Sequence, residues 1–142
     1  MPLTATAINN NSQAPGIAAE VYVPDQLIAG IFPLVTDNVT IVSGAGVIKR
    51  GTVLGKITAS GKYTTRLTAS ADGSQSAVAI AADTVDATSA DQIVGVYLSG
   101  EFNSNAMTLG TGWTVATVTA ALRSLSIFVK TLASDLSNTA AT

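Results

Sequence analysis

Short apolar runs, each cut by a glycine-containing turn, dominate the chain from Val39 to Lys130. Val39-Thr40-Ile41-Val42 alternates in part, and Val53, Leu54 and Ile57 form a second apolar patch between Gly51 and Gly61. Tyr63, Thr65 and Leu67 point one way and Thr64, Arg66 and Thr68 the other, as the two-residue period of a strand requires. Ala77 to Ala82 puts Val78 and Ile80 on one face and only alanine on the other, which suits close approach of a second layer. Ile93 to Leu98 is a continuous apolar run, the pattern of a strand buried on both faces. Leu125, Ile127 and Val129 alternate with Ser126, Phe128 and Lys130. Ser43-Gly44, Ser60-Gly61, Asp72-Gly73 and Ser99-Gly100 are the turn signals, and Asp72-Gly73 fits a tight turn with positive φ.

Two stretches depart from this pattern. Thr114 is a suitable N-cap for a short helix with Val115, Val118 and Leu122 on one face. Asp25 to Ala29, after Pro24, reads as one helical turn ended by Gly30. The fold expected is therefore mostly β (α+β): a small β-sandwich or barrel-like domain with one or two short helices.

The flanks lack the pattern altogether. In residues 1–20, Asn9, Asn10, Asn11, Ser12, Gln13, Pro15 and Gly16 are polar or structure-breaking and nothing is periodic, which reads as a flexible N-terminal arm. Residues 21–133 form the β domain, and 134–142 a C-terminal tail with Leu136 as its one large apolar residue. Met1 to Ile8 has neither the basic nor the long apolar region of a signal peptide.

Composition narrows the chemistry. In 142 residues there is no Cys and no His. That excludes disulfides, thiol catalysis, cysteine-ligated metals and histidine general bases. An enzyme is not expected, nor a cofactor or metal. Hydrophobic residues make up 47% and charged ones only 11%, against roughly 25% in an average soluble domain. No apolar run approaches the ~20 residues of a membrane span. Seven Lys and Arg against nine Asp and Glu, with only Lys49-Arg50 adjacent, argue against direct nucleic-acid binding. So little charge with so much apolar surface suggests a chain that associates with itself or with a large partner.

The remaining motifs are weak. Gly51-Thr52-Val53-Leu54-Gly55-Lys56 is one residue short of a phosphate-binding loop and has Ile57 where the magnesium ligand belongs. Gly44-Ala45-Gly46 lacks the third glycine of a dinucleotide fingerprint. Asp83, Asp86 and Asp91 lack calcium-loop spacing and read as a solvated connection, with Asp86 or Asp91 capping a turn. Glu20 with Asp25, or Asp72 with Asp83, would need a spacing of ~5–10 Å to act as a glycosidase pair, and nothing in the sequence brings them there. Trp113, Tyr22, Tyr63 and Tyr97 would be the platform of a carbohydrate-binding or adhesive β-module displayed on a particle surface, the alternative function.

Five blocks, taken in order, resemble one family: the head decoration proteins of tailed bacteriophages, of the phage lambda type. They are Tyr22-Val23-Pro24-Asp25-Gln26-Leu27-Ile28-Ala29-Gly30; Lys49 to Ile57 followed by Ser60-Gly61-Lys62-Tyr63; Asp72-Gly73 with Ala77 to Ile80; Val96 to Asn103; and Leu122 to Ile127. The resemblance covers about three quarters of the chain and leaves the first twenty residues unmatched. It departs from the family at Ala79, usually glycine, and at Leu125-Ser126, where a glycine often precedes the last strand.

The resemblance implies a capsid decoration protein. Such proteins bind the outside of the expanded head as homotrimers, at threefold and quasi-threefold sites, and reinforce it against packaged DNA. The implied partners are the major capsid protein and two further copies of the chain, with no nucleic acid and no membrane. The implied location is the outer surface of the virion capsid, after synthesis in the host cytoplasm. The segment expected to meet the capsid carries Ile17, Val21, Tyr22, Val23, Pro24, Leu27, Ile28, Ile31 and Phe32; the residues expected at the trimer interface are Tyr97, Phe102 and Trp113.

Overall fold

A computed structural model of the chain describes residues 26–132. The expected arm, the tail and Asp25 lie outside these residues. Among the described residues eight strands and one α-helix follow in order, with a 3₁₀ turn at Ser104–Ala106: β1 (Val35–Ile41), β2 (Gly46–Ile48), β3 (Val53–Lys56), β4 (Tyr63–Thr65), β5 (Ala77–Ala81), β6 (Val85–Ala87), β7 (Gln92–Asn103), α1 (Val115–Arg123) and β8 (Ile127–Lys130). The expected mostly-β fold is what forms.

The principal sheet runs β1-β4-β3-β5-β7-β8, and β1 also pairs with β7, so five strands close into a small barrel. The β1–β4 and β7–β8 pairs are parallel and the rest antiparallel. Closure removes the open edges of those five strands and leaves β8 at the rim. A separate two-stranded ribbon pairs β2 with β6, and β6 lies in the polar stretch from Asp83 to Gln92 that was expected to be a solvated connection.

Strand alternation divides the core in two. Val53, Ile80, Tyr97 and Phe102 join Leu27, Val118, Leu122 and Ile127 beneath α1. Ile41, Leu54, Ala79, Ala81, Val94 and Val96 fill the other side with Ile48 and Ala87 from the ribbon. The faces expected of β5 do not hold throughout: Ala79 and Ala81 fill this second core with Val78 packed against it, while Ala77 joins Ile80 in the first, the strand pairing with β3 being irregular at Leu54/Gly55. α1 starts at Thr114 with a reciprocal capping box to Thr117, and buries Val118 and Leu122. Val115, expected on the same face, is the first residue of the helix and is 39% exposed.

Three further expectations change. Ile93 is 72% exposed, so the run in β7 alternates and is not buried on both faces at its start. Ser99-Gly100 is no turn but lies inside β7, where Gly100 takes φ +145°. A Cβ there would meet Leu34 Cδ2 at 2.5 Å and Phe102 Cε2 at 2.9 Å, so the glycine serves close packing. Leu125 is outside β8 and 40% exposed, because the chain leaves α1 through Ser126 at φ 61° before the strand begins. Asp72-Gly73 does turn, with Gly73 at φ +101°.

A candidate interaction surface

The segment entering β1 decides the shape of the surface. Gln26 to Ala29 was expected to continue a helical turn, yet it is extended and pairs with the end of β7. Asn103 N–H donates to Leu27 O at 2.8 Å and Ala29 N–H to Glu101 O at 2.8 Å, with Ile28 bridged to Phe102. Pairing satisfies the backbone of β7 beyond the point where β1 leaves it. Leu27 seals this join, 1% exposed in the core beneath α1.

Beyond Leu27 the chain becomes a strap whose backbone is held and whose side chains are not. Ser99 Oγ accepts from Val35 N–H at 3.1 Å and donates to Pro33 O at 2.8 Å. Glu101 Oε2 accepts from Phe32 N–H at 3.4 Å, while its Oε1 pairs with Lys130 Nζ at 2.6 Å. These donors hold the Glu101 carboxyl below the usual carboxylate range, the Lys130 hydrogen bond contributing most. Gly30 passes so close to this carboxylate that any side chain there would collide with it.

Fastened this way, the strap turns Ile28, Ile31, Phe32, Leu34 and Val35 outward, with Ile31 fully exposed at 101%. Phe32 meets the Phe128 ring edge-on at 5.0 Å. The two rings border a groove of ≈320 Å³ between the strap, α1 and β8, floored by Val129 and rimmed by Glu101, Arg123 and Lys130. A contiguous apolar strip with a charged rim is the anatomy of a protein-binding surface.

Of the nine residues expected to meet a capsid, Ile28, Ile31 and Phe32 lie on this strip. Leu27 lies beneath it, and Ile17, Val21, Tyr22, Val23 and Pro24 fall outside the described residues. Leu34, Val35 and Phe128 are added by the structure; the alternation of Phe128 in β8 was the only sequence signal for them. Tyr97 and Phe102 are core side chains, 8% and 0% exposed, their rings tilted at 48° with centroids 5.2 Å apart.

Trp113 is half-buried, with the Arg66 guanidinium 3.0 Å from its ring centroid. Arg66 is itself buried, which pushes its guanidinium down to about 10. The aromatics do not gather into one platform among the described residues: Tyr97 is buried, and Tyr63 lies under Lys56 at 5.9 Å. Asp83, Asp86 and Asp91 do not form a ligand set either. Asp86 caps its own turn through Thr88, and Asp91 accepts from Ser43 N–H and Lys62 Nζ. Those hydrogen bonds place both carboxyls below their ordinary range. Among the described residues no group of three metal-ligating side chains forms.

Comparison with known proteins adds one match. The family model for bacteriophage lambda head decoration protein D matches residues 18–128. No curated protein matches the chain.

Proposed function

Because the chain belongs to the bacteriophage lambda head decoration protein family, we propose that it cements an expanded phage head from outside, as homotrimers at threefold and quasi-threefold sites of the major capsid protein. In this reading it holds the shell against the pressure of packaged DNA, and has no catalytic role. The observation that carries the reading beyond the family is the apolar strip from Ile28 to Val35, fastened by its backbone yet exposed by its side chains.

The physics is linkage. A protein that binds only the assembled, expanded shell stabilises that state by mass action. The strip supplies apolar area at low ordering cost, since β7 and Ser99 already fix its backbone. The residues before Gln26 extend the contact by strand addition to the capsid, where backbone hydrogen bonds ask little of side-chain identity. A trimer presents three such attachments at once, so a modest affinity at each becomes tight overall.

Co-sedimentation with expanded and unexpanded undecorated shells tests this. Saturable binding to expanded shells, at three copies per threefold site, is expected. Binding to neither form would remove the cementing role.

A further inference from the structure

The groove beside the apolar strip carries a charge that the fold does not use. Among the described residues Glu101 is the one carboxylate on its walls, and it is spent. One of its oxygens accepts from Lys130 Nζ at 2.6 Å and the other from Phe32 N–H at 3.4 Å. Arg123 lines the same groove and is exposed, yet its guanidinium makes no hydrogen bond or ion pair among the described residues. Other cations of the domain are committed: Lys62 pairs with Asp91, and Lys56 and Arg66 lie over the rings of Tyr63 and Trp113. A chain of net charge −2 thus keeps two cations against one carboxylate at this rim.

The fold alone does not call for an arginine here. Arg123 is the last residue of α1, where any cation suits the helix dipole and Lys would serve as well. What Arg adds is a planar fork of donors that fits a carboxylate through two bonds. The rest of the lining favours such a pair. Phe32, Phe128 and Val129 make part of the wall apolar, and an ion pair formed beside apolar groups is less screened than one in open water. The volume of ≈320 Å³ is near the lower end of ligand-sized clefts, ~300 Å³, and has room for a side chain or two. Phe32 belongs to both the groove and the strip, so a partner laid on the strip reaches the groove.

We propose that the groove takes an acidic segment of the shell protein, with an apolar side chain seated against Phe32, Phe128 and Val129 and a neighbouring Asp or Glu carboxylate held by Arg123. This contact rests on the cementing role proposed above, and gives the partner its chemistry. The strip supplies area without discriminating among apolar surfaces; Arg123 supplies the sign that does.

Titration of expanded undecorated shells with the full-length parent, Arg123→Lys, Arg123→Gln and Arg123→Glu tests it, in about 0.05 M and about 0.5 M salt. Affinity is expected to fall in that order, with Arg123→Glu at least about tenfold weaker than the parent in low salt. The gap between the parent and Arg123→Gln should close severalfold in high salt, as an ionic contact requires. Melting of each free variant checks the fold, and Arg123→Gln, a good helix former, carries the test if Arg123→Glu disturbs the end of α1. Equal binding by the parent and all variants would overturn the acidic partner and leave the cementing role standing. Tighter binding by Arg123→Glu than by Arg123→Gln would make the partner basic, and a loss indifferent to salt would make the contact steric; either overturns the proposal. A changed oligomeric state of the variants without shells would put a second copy in the groove, and overturn it too. No binding by the parent itself would remove the cementing role and this contact together.

Discussion

At the scale of single residues, two positions show how this chain departs from simple rules. Ser126 sits in the left-handed region at φ 61°, where a side chain costs ~1–2 kcal/mol and glycine costs little. It stands where the family resemblance calls for a glycine before the last strand, which gives that preference a backbone cause. Ser126→Gly is expected to raise stability by ~0.5–1 kcal/mol, offset in part by the greater freedom of glycine when unfolded. Urea denaturation reads it directly: a higher midpoint with an unchanged slope is expected, and a lower midpoint would show that the turn is not strained. Arg66 departs differently. Alternation set it opposite Tyr63 and Leu67, but not inside the protein. It is 3% exposed, with Nε donating to Gln75 O at 2.9 Å and its charge resting on the Trp113 ring. Among the described residues no carboxylate pairs with it, so the aromatic face and the backbone carbonyl are the visible compensation for burying the cation.

At the scale of elements, the strap decides what surface the protein offers, and it is fastened through a carboxylate as well as by backbone pairing. Glu101 is ionised more readily in the fold than in the unfolded chain, because Lys130 and the Phe32 amide donate to it. A depressed carboxylate contributes stability above its ordinary value of 4.5, and that contribution fades as the pH falls through the folded value. Acidification from pH 6 to 3 is therefore expected to lower the hydrogen-exchange protection of the Ala29 and Phe32 amides more than that of β5. In Glu101→Gln the selective loss should vanish; if it persists, another group holds the strap. This strap was hidden in the sequence for a physical reason. A single extended pass over another strand's end has no period of its own, so Asp25-Gln26-Leu27-Ile28-Ala29 after a proline looked helical. The strands were legible because alternation and turn glycines act locally: β3 and β5 lie where their apolar runs put them, β8 begins two residues after its pattern does, and α1 follows its Thr114 cap. Ser99-Gly100 misled because a glycine that relieves crowding inside a strand is chemically the same as one that makes a turn. Likewise Ile28, Ile31 and Phe32 could be picked as apolar, but only tertiary pairing separates them from Leu27, one residue earlier and inside the core. Tyr97 and Phe102 show the same limit, since nothing local distinguishes an interface aromatic from a core one.

At the scale of the whole molecule, threefold assembly would multiply whatever a single strip contributes. Ile31 is fully exposed in the free chain, so replacing it removes no packing from the fold. Burying such a side chain against a partner is worth ~1.5–3 kcal/mol. Ile31→Asp forfeits that and adds the cost of desolvating a carboxylate at the contact, so each site should weaken by roughly 30-fold, at ~1.4 kcal/mol per factor of ten. Three linked sites compound the loss, toward ~10⁴-fold for a trimer whose attachments all engage. The melting temperature of the free protein should stay within ~1 °C of the parent, because surface changes that touch nothing alter stability little. Titrating expanded shells with both proteins separates the terms. An unchanged melt with a large loss of shell binding would assign the strip to the capsid contact, and the size of the loss would report how many strips engage together. A loss near 30-fold means single attachment, and one far beyond it means a trimer acting as a unit. Full binding by Ile31→Asp would move the contact off the strap and overturn the strip as the site of attachment.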